Sequence, residues 1–331
     1  PALAITDHGV MYGVVDFYKA CKKAGVKPII GCEVYVAPRT RFYKQAGLDD
    51  SAYHLVLLVK NEQGYRNLSR LESLASLDGF YYKPRVDREI LEQYHEGLIA
   101  LSGCLAGEVA QKILQEDLEG AREAAQWYQN TFGAENYYFE VQNHGMHEQI
   151  RINYHLNLLS EELGIPLVAT NDCHYTYAED AEAHDVLLCI QTGKKVSDED
   201  RMRYEGGQYF VKSEEEMRRL FPYAQEALDN TQKIADRCHV EIEFGVTKLP
   251  HFEVPEGYNS ETYLKKLCED GLKERYADDS GDVSKDLKER LDYELGVIKT
   301  MGYVDYFLIV WDFINFAKSN GIAVGPGRGS A

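Results

Sequence analysis

Short β-branched runs and longer amphipathic stretches take turns through the first half of the chain, and this alternation limits the fold more than any other feature. Strand-like runs lie at Ala2–Thr6, Pro28–Val36, His54–Lys60, Leu98–Ser102, Tyr137–Gln142 and Leu167–Asn171. Helical patterns at Val14–Ala24, Gln63–Leu77, Gly120–Thr131 and Glu148–Leu163 fall between them. Strand, helix, strand in this rhythm implies parallel strands joined by helical crossovers. Six or more such units predict an α/β fold closed into a (β/α) barrel. In barrels of that kind the functional side chains sit at the C-terminal ends of the strands.

From about Ala178 the rhythm stops and helices follow one another: Ala178–Thr192, Ser213–Phe221, Gln225–Cys238, Ser260–Tyr276, Ser284–Thr300 and Asp305–Ser319. The Pro- and Gly-containing stretch Phe244–Tyr258 reads as a linker. The expected division is a barrel over 1–245, then a linker and a mostly helical piece over 246–331. The chain opens on Pro1 inside a strand, without Met, and is read as a fragment.

Acidic residues number 54 against 36 Lys and Arg, a net charge of −18. Such a surface repels a phosphate backbone unless bound cations invert the local field. The seven cysteines form no CxxC pair, which points to a reducing, cytoplasmic setting. No apolar run is long enough to span a bilayer, so no membrane partner is expected.

Polar residues of ligand type recur where the strands end. Asp7-His8-Gly9 follows ALAIT, Glu33 lies in IIGCEVYV, His54 opens HLVLLV, Cys104 follows LIALSG, and Asp172 and His174 close PLVATNDCHY. A single histidine beside a strand is ordinarily structural. Six ligand-type residues at strand ends instead suggest a divalent-metal site, and the mixture of carboxylate, imidazole and thiolate favours Zn or Mn over Mg. Alternation along a strand lets Asp172 and His174 share a face, so Cys173, and likewise Cys32 beside Glu33, should turn away into the core.

The segments ITDHG, GCEVYV, YHLVLL, LSGCL and NDCHY resemble the motifs of the PHP (polymerase and histidinol phosphatase) superfamily. That resemblance implies a distorted barrel holding up to three divalent metals that hydrolyse phosphoesters. His8, Glu33, His54, Cys104, Asp172 and His174 would be the ligands. The first motif of the family, His-x-His followed by an acidic residue, would precede Pro1. FYYKPRVD, ALSGCLAGEV, YFLIVWDFINFAK and GPGRGSA are similar to the alpha-subunit family of bacterial DNA polymerase III (family C), in its uninterrupted DnaE-type form.

That resemblance implies a PHP barrel followed by the start of a polymerase palm, working on primer-template DNA and dNTP. Metal-dependent 3′→5′ exonuclease action would make the barrel a proofreading module. The alternative is a structural barrel that braces the polymerase and docks a separate proofreading subunit, beside partners such as the sliding clamp. Bound divalent ions activate water and clamp phosphate oxygens in such sites. Lys83 and Arg85 are candidates for holding substrate phosphate, His144 for reaching the substrate, and Asp7 for supporting its neighbour His8. His147, His155 and His184 lie on helical stretches and are assigned no chemistry. In GPGRGSA the resemblance gives Arg328, Gly329 and Ser330 to the phosphates of an incoming nucleotide, with the Mg-binding aspartates of the polymerase site farther along.

Overall fold

The computed structural model describes residues 1–246 and 248–327. Arg328, Gly329 and Ser330, the candidate phosphate loop, lie outside the described residues. The chain divides into two compact units, Pro1–Ile242 and Glu243–Ala331.

The first unit runs β1 (Ala2–Ile5), α1 (Val14–Ala24), β2 (Lys27–Val36), β3 (Tyr53–Val59), α2 (Glu62–Leu77), β4 (Arg85–Val86), α3 (Arg88–Tyr94) and β5 (Leu98–Leu101). It continues with α4 (Glu108–Leu114), α5 (Leu118–Phe132), β6 (Tyr137–Val141), α6 (His147–Leu163), β7 (Leu167–Ala169), α7 (Ala181–Thr192), α8 (Glu214–Leu220) and α9 (Gln225–Arg237). Side-chain caps start several helices where the sequence provides them. Asn61 accepts from Gly64 N, Asp87 from Ile90 N and Asp117 from Gly120 N, each satisfying a donor that the first helical turn leaves open.

The strands form one curled sheet in the order β1-β2-β3-β5-β6-β7, with β4 paired to β2. The sheet is mixed, which corrects the all-parallel expectation. β1–β2, β5–β6 and β6–β7 are parallel, while β3 runs antiparallel to both β2 and β5. The 16 residues between β2 and β3 contain no crossover helix, so β3 returns in the opposite direction. Among the described residues no ladder joins β7 to β1, yet the His8 and His174 rings that follow these two strands are 5.8 Å apart. The sheet curls far enough to bring its two ends together. The architecture is the α/β distorted barrel expected, drawn as a half-barrel.

Alternate residues feed two cores. Ile30, Cys32, Val34, Leu55, Leu57, Leu98, Ala100, Tyr137 and Phe139 face outward into the helical layer. Ile29, Val56, Leu58, Ile99, Leu101, Tyr138 and Val168 face inward and pack with Ile234, Ala235 and Cys238 at the end of α9. Lys27 Nζ donates to Ala235 O (2.5 Å) and His239 N to Lys60 O (2.8 Å), so the end of α9 closes the mouth where β2 begins and β3 ends. The opposite mouth is left for polar residues.

The second unit contains α10 (Ser260–Tyr276), α11 (Lys285–Thr300) and α12 (Val304–Ser319). Leu264, Val283 and Leu308 are buried, and the Tyr263 and Trp311 rings meet edge to face at 6.0 Å. Asp305 on α12 accepts hydrogen bonds from Ser260 Oγ (2.7 Å), Phe252 N (3.1 Å) and His251 Nδ1 (3.2 Å). Tyr306, Phe307, Phe313 and Phe316 on α12 remain exposed. Among the described residues no helix is long and apolar enough to cross a membrane.

Candidate metal centre

The open mouth is built first from the turn after β1. Asp7 and Gly9 lie along β2, with Glu33 N donating to Asp7 O (3.0 Å) and Gly9 N donating to Glu33 O (2.9 Å). Gly9 has φ 62°, and a Cβ there would lie 2.8 Å from the Tyr35 ring, so only glycine lets this turn approach the sheet. His8 is thereby placed over Glu33, Nδ1 to Oε1 3.0 Å.

His54 reaches the same oxygen from β3, Nδ1 to Glu33 Oε1 2.5 Å. It lies at the beginning of its strand, whereas Glu33 lies in the C-terminal half of β2 and the other candidates follow their strands. Only the antiparallel direction of β3 brings its beginning to the mouth where its neighbours finish. Gly103, at φ 83°, would carry a Cβ 2.5 Å from His54 O. This tight Ser-Gly-Cys turn brings Cys104 Sγ within 3.5 Å of His54 Nδ1.

β7 ends at Ala169, so Asp172 and His174 lie beyond it in irregular backbone, and Asp172 has φ 44°. This corrects the strand-period argument for these two residues. Their common placement comes from hydrogen bonds. His174 Nδ1 is 2.7 Å from Asp172 O, which leaves Nε2 for the pocket, and His174 N donates to Tyr209 O (2.8 Å). Cys32 is fully buried, facing away from Glu33 onto Glu72 (Sγ to Oε1 3.3 Å). Cys173 was expected to be buried as well; it is exposed, donating to Phe210 O at 3.3 Å, because no strand persists to turn it inward.

His8, Glu33 and His54 each offer a ligand atom within 4.8 Å of the others. Cys104 adjoins this trio through His54, and His174 adjoins it through His8, with Asp172 Oδ1 3.7 Å from His174 Nδ1. Burial alone would raise the Glu33 carboxyl, but His54 and His8 outweigh it and hold Glu33 at about 2. Glu33 in turn raises His8. Asp172 is pushed up, by burial first and also by the charge of Glu33. Burial and Glu33 likewise push up the Cys104 thiol.

The donor set fits a cation on geometric grounds. Both imidazoles come close to Glu33 Oε1, yet this buried oxygen has no aligned hydrogen-bond partner. Two imidazoles and a carboxylate converging on one point suit a divalent ion.

The remaining candidates separate clearly. Lys83 is exposed at the rim, with Nζ 5.4 Å from the centre of the Tyr35 ring, which packs edge to face with His54 at 5.2 Å. Arg85 does not face substrate. It is 1% exposed and donates to the carbonyls of Gly79, Asp49, Arg41 and Tyr43. His144 is buried with both ring nitrogens engaged, Nε2 with Asn171 O (3.0 Å) and Nδ1 with Gln149 Nε2 (2.8 Å). It supports the Asn171–Asp172 turn and has no nitrogen left for a substrate. Asp7 contributes through its carbonyl, which accepts from Glu33 N and from Cys32 Sγ (3.2 Å).

Two contributors escaped the sequence reading. Glu140 on β6 is buried beneath the pocket, accepting from Gly103 N (3.1 Å) and Gln142 Nε2 (3.2 Å). Burial, with Glu33 and Asp172 adding, pushes it up to about 7. Its signal was a lone acid among the buried apolar residues YYFEV. Tyr204, from the loop after α7, packs on His174 with ring centres 4.4 Å apart, and nothing local in RMRYEGG marks it.

A curled mixed α/β sheet with His, Glu, Cys and Asp gathered at one mouth defines a PHP-type protein, and residues 1–144 match the PHP domain family. Residues 262–331 match the bacterial DNA polymerase III alpha NTPase domain. The chain is 49% identical to the DNA polymerase III subunit alpha of Treponema pallidum (strain Nichols), over 99% of this chain and 28% of that protein. It is 47% identical to the corresponding subunit of Borreliella burgdorferi, with 99% and 28% covered, and 42% identical to that of Thermus aquaticus, with 100% and 32% covered. The chain belongs to the bacterial DNA polymerase III alpha family, and it spans less than a third of the length of these relatives.

Proposed function

We propose that this chain is the PHP barrel and the beginning of the polymerase region of a replicative DNA polymerase, and that the barrel is a metal-dependent 3′→5′ exonuclease. The observation that carries this reading is the convergence of His8, Glu33 and His54 within 4.8 Å at one barrel mouth, bordered by Cys104, Asp172 and His174. These six residues would hold Zn or Mn, up to three ions. Such ions, when bound, supply water activation and neutralise charge building on a phosphodiester.

The chain's own groups do the positioning. Glu33 presents a carboxylate held ionised by two imidazoles. His174 has Nε2 left to bind a cation because Nδ1 is committed to Asp172 O. Lys83 would meet the entering phosphate at the rim. Removal of a terminal nucleotide by this site is proofreading. Arg328, Gly329 and Ser330 would serve the incoming dNTP, with Mg at the polymerase site elsewhere in the longer protein. Primer-template DNA, a sliding clamp and other replicase subunits are the proposed partners, and the cytoplasm the proposed location.

A second reading draws on the net charge of −18. A surface this acidic suits protein docking better than DNA, so the barrel would brace the polymerase and carry a separate proofreading subunit. One experiment separates the readings: metal analysis and a 3′→5′ exonuclease assay on the full-length protein and its Asp172→Asn variant. Metal-dependent nucleotide release that the variant loses supports the nuclease. Bound metal without release supports the docking module.

A further inference from the structure

The pocket is built almost entirely from groups that accept protons or bind cations: carboxylates, a thiol and imidazole lone pairs. A phosphate oxygen entering it needs hydrogen-bond donors as well. At the rim Lys83 is one. Tyr204 is another candidate, and it comes from a part of the chain that no motif marks.

The loop bearing Tyr204 is pinned on both sides. Arg201 pairs with Asp185 of α7 through both terminal guanidinium nitrogens (2.5 and 2.7 Å). Asn171 Nδ2 donates to Gln208 O (2.9 Å) and Phe210 O (2.7 Å), and His174 N donates to Tyr209 O. Between these anchors the Tyr204 ring packs on His174 (4.4 Å), Tyr209 (4.7 Å) and His184 (5.1 Å). Among the described residues its hydroxyl makes no hydrogen bond, while its ring stays against the candidate ligand His174. A ring fixed against His174, with a hydroxyl that bonds to no protein group among the described residues, is available to donate.

We propose that Tyr204 is a substrate-positioning residue whose hydroxyl donates a hydrogen bond to a phosphate oxygen at the metal centre, so that the loop after α7 completes the phosphate site. This rests on the metal-dependent phosphoesterase reading. The test uses the full-length protein loaded with manganese and inorganic phosphate as the probe, with affinity measured by calorimetry beside metal content. Tyr204→Phe keeps the ring against His174 and removes only the hydroxyl, and should weaken phosphate binding about tenfold at unchanged metal content. Tyr204→His, which keeps a ring and a donor, should recover part of that loss, whereas Tyr204→Leu should not.

Equal phosphate affinity in wild type and Tyr204→Phe would overturn the proposal. So would loss of metal in Tyr204→Phe, which would mean that the residue acts only by supporting His174. A wild type that binds metal and phosphate but releases no nucleotide would remove the exonuclease reading, while a tenfold weaker Tyr204→Phe would still uphold the donor role. A wild type that holds no metal would overturn both.

Discussion

Asp172 has φ 44°, a conformation that few residues other than glycine adopt without support. The support is visible: His144 Nε2 and Asn171 O are 3.0 Å apart, and Asn171 itself is tied to the 208–210 backbone. Asparagine accepts the same conformation readily, so Asp172→Asn should change charge with little change in fold. Metal affinity should fall roughly 10- to 100-fold while the melting temperature stays near that of the wild type, checked by metal analysis and calorimetry. Arg85 calls for the opposite outcome. With its guanidinium shared among four carbonyls, Arg85→Met leaves buried acceptors unsatisfied and should destabilise the first unit by about 3 kcal/mol. Metal content in the surviving folded fraction should not change. Loss of phosphate binding at full stability would restore Arg85 as a substrate residue. The sequence made Arg85 a candidate because Lys-Pro-Arg looks like an exposed basic loop. Its burial depends on carbonyls from residues 41 to 49, and no local pattern announces that.

Among the elements, α2 and β2 meet at a buried acid. Glu72 on α2 faces Cys32 on β2, and burial pushes its carboxyl up to about 7 from an ordinary 4.5. The native state therefore keeps a proton that the unfolded chain releases above about pH 4.5. The unfolded state binds fewer protons across this window, so stability falls as pH rises from about 4.5 to 7 and then levels off. The full shift corresponds to roughly 3 kcal/mol. Glu72→Gln can still accept from the Cys32 thiol and should abolish this fall. It should be more stable than wild type at pH 8 and close to it at pH 4.5, as read by urea unfolding of the first unit. A wild-type-to-variant difference that does not vary with pH would refute this account. The strands and helices themselves were largely visible in the sequence, because hydrophobic period is a local property. Strand direction is not. The runs of β3 and β5 look alike whichever way they point, and the antiparallel β3 depends on a connection with no helix. The short β4, α3 and α4 were missed because two or seven residues carry too little periodicity. The six ligand candidates were legible as residue types, while the Asp172–His174 geometry was not, since it comes from loop hydrogen bonds and not from a strand.

At the scale of the whole chain, the two units should respond differently to a protease. The first has its own two cores, with α9 sealing one mouth. The stretch after Ile242 has no helix or strand among the described residues up to α10, but it is not uniform. Glu243–Val246 and Lys248–Pro250 are exposed, whereas His251, Phe252 and Ser260 are fastened to Asp305. The loop at Asp278–Asp282 is also exposed, yet Asp278 Oδ1 accepts from Ser280 N (2.9 Å), Ser280 Oγ (2.6 Å) and Asp282 N (2.9 Å), which holds it in a tight turn. Cleavage requires a segment to open and extend into the protease, so exposed backbone outside helices, strands and tight turns is cut first. Limited proteolysis of the 331-residue chain should therefore cut first within 243–250 and only later near 278–282. The fragment ending near residue 245 should persist and keep its far-ultraviolet circular dichroism. If the centre at the open mouth is assembled as described, that fragment should also retain the metal content of the intact chain. First cleavage between His54 and Asp172 would mean that the barrel, and not the segment after it, is the least stable part of the chain.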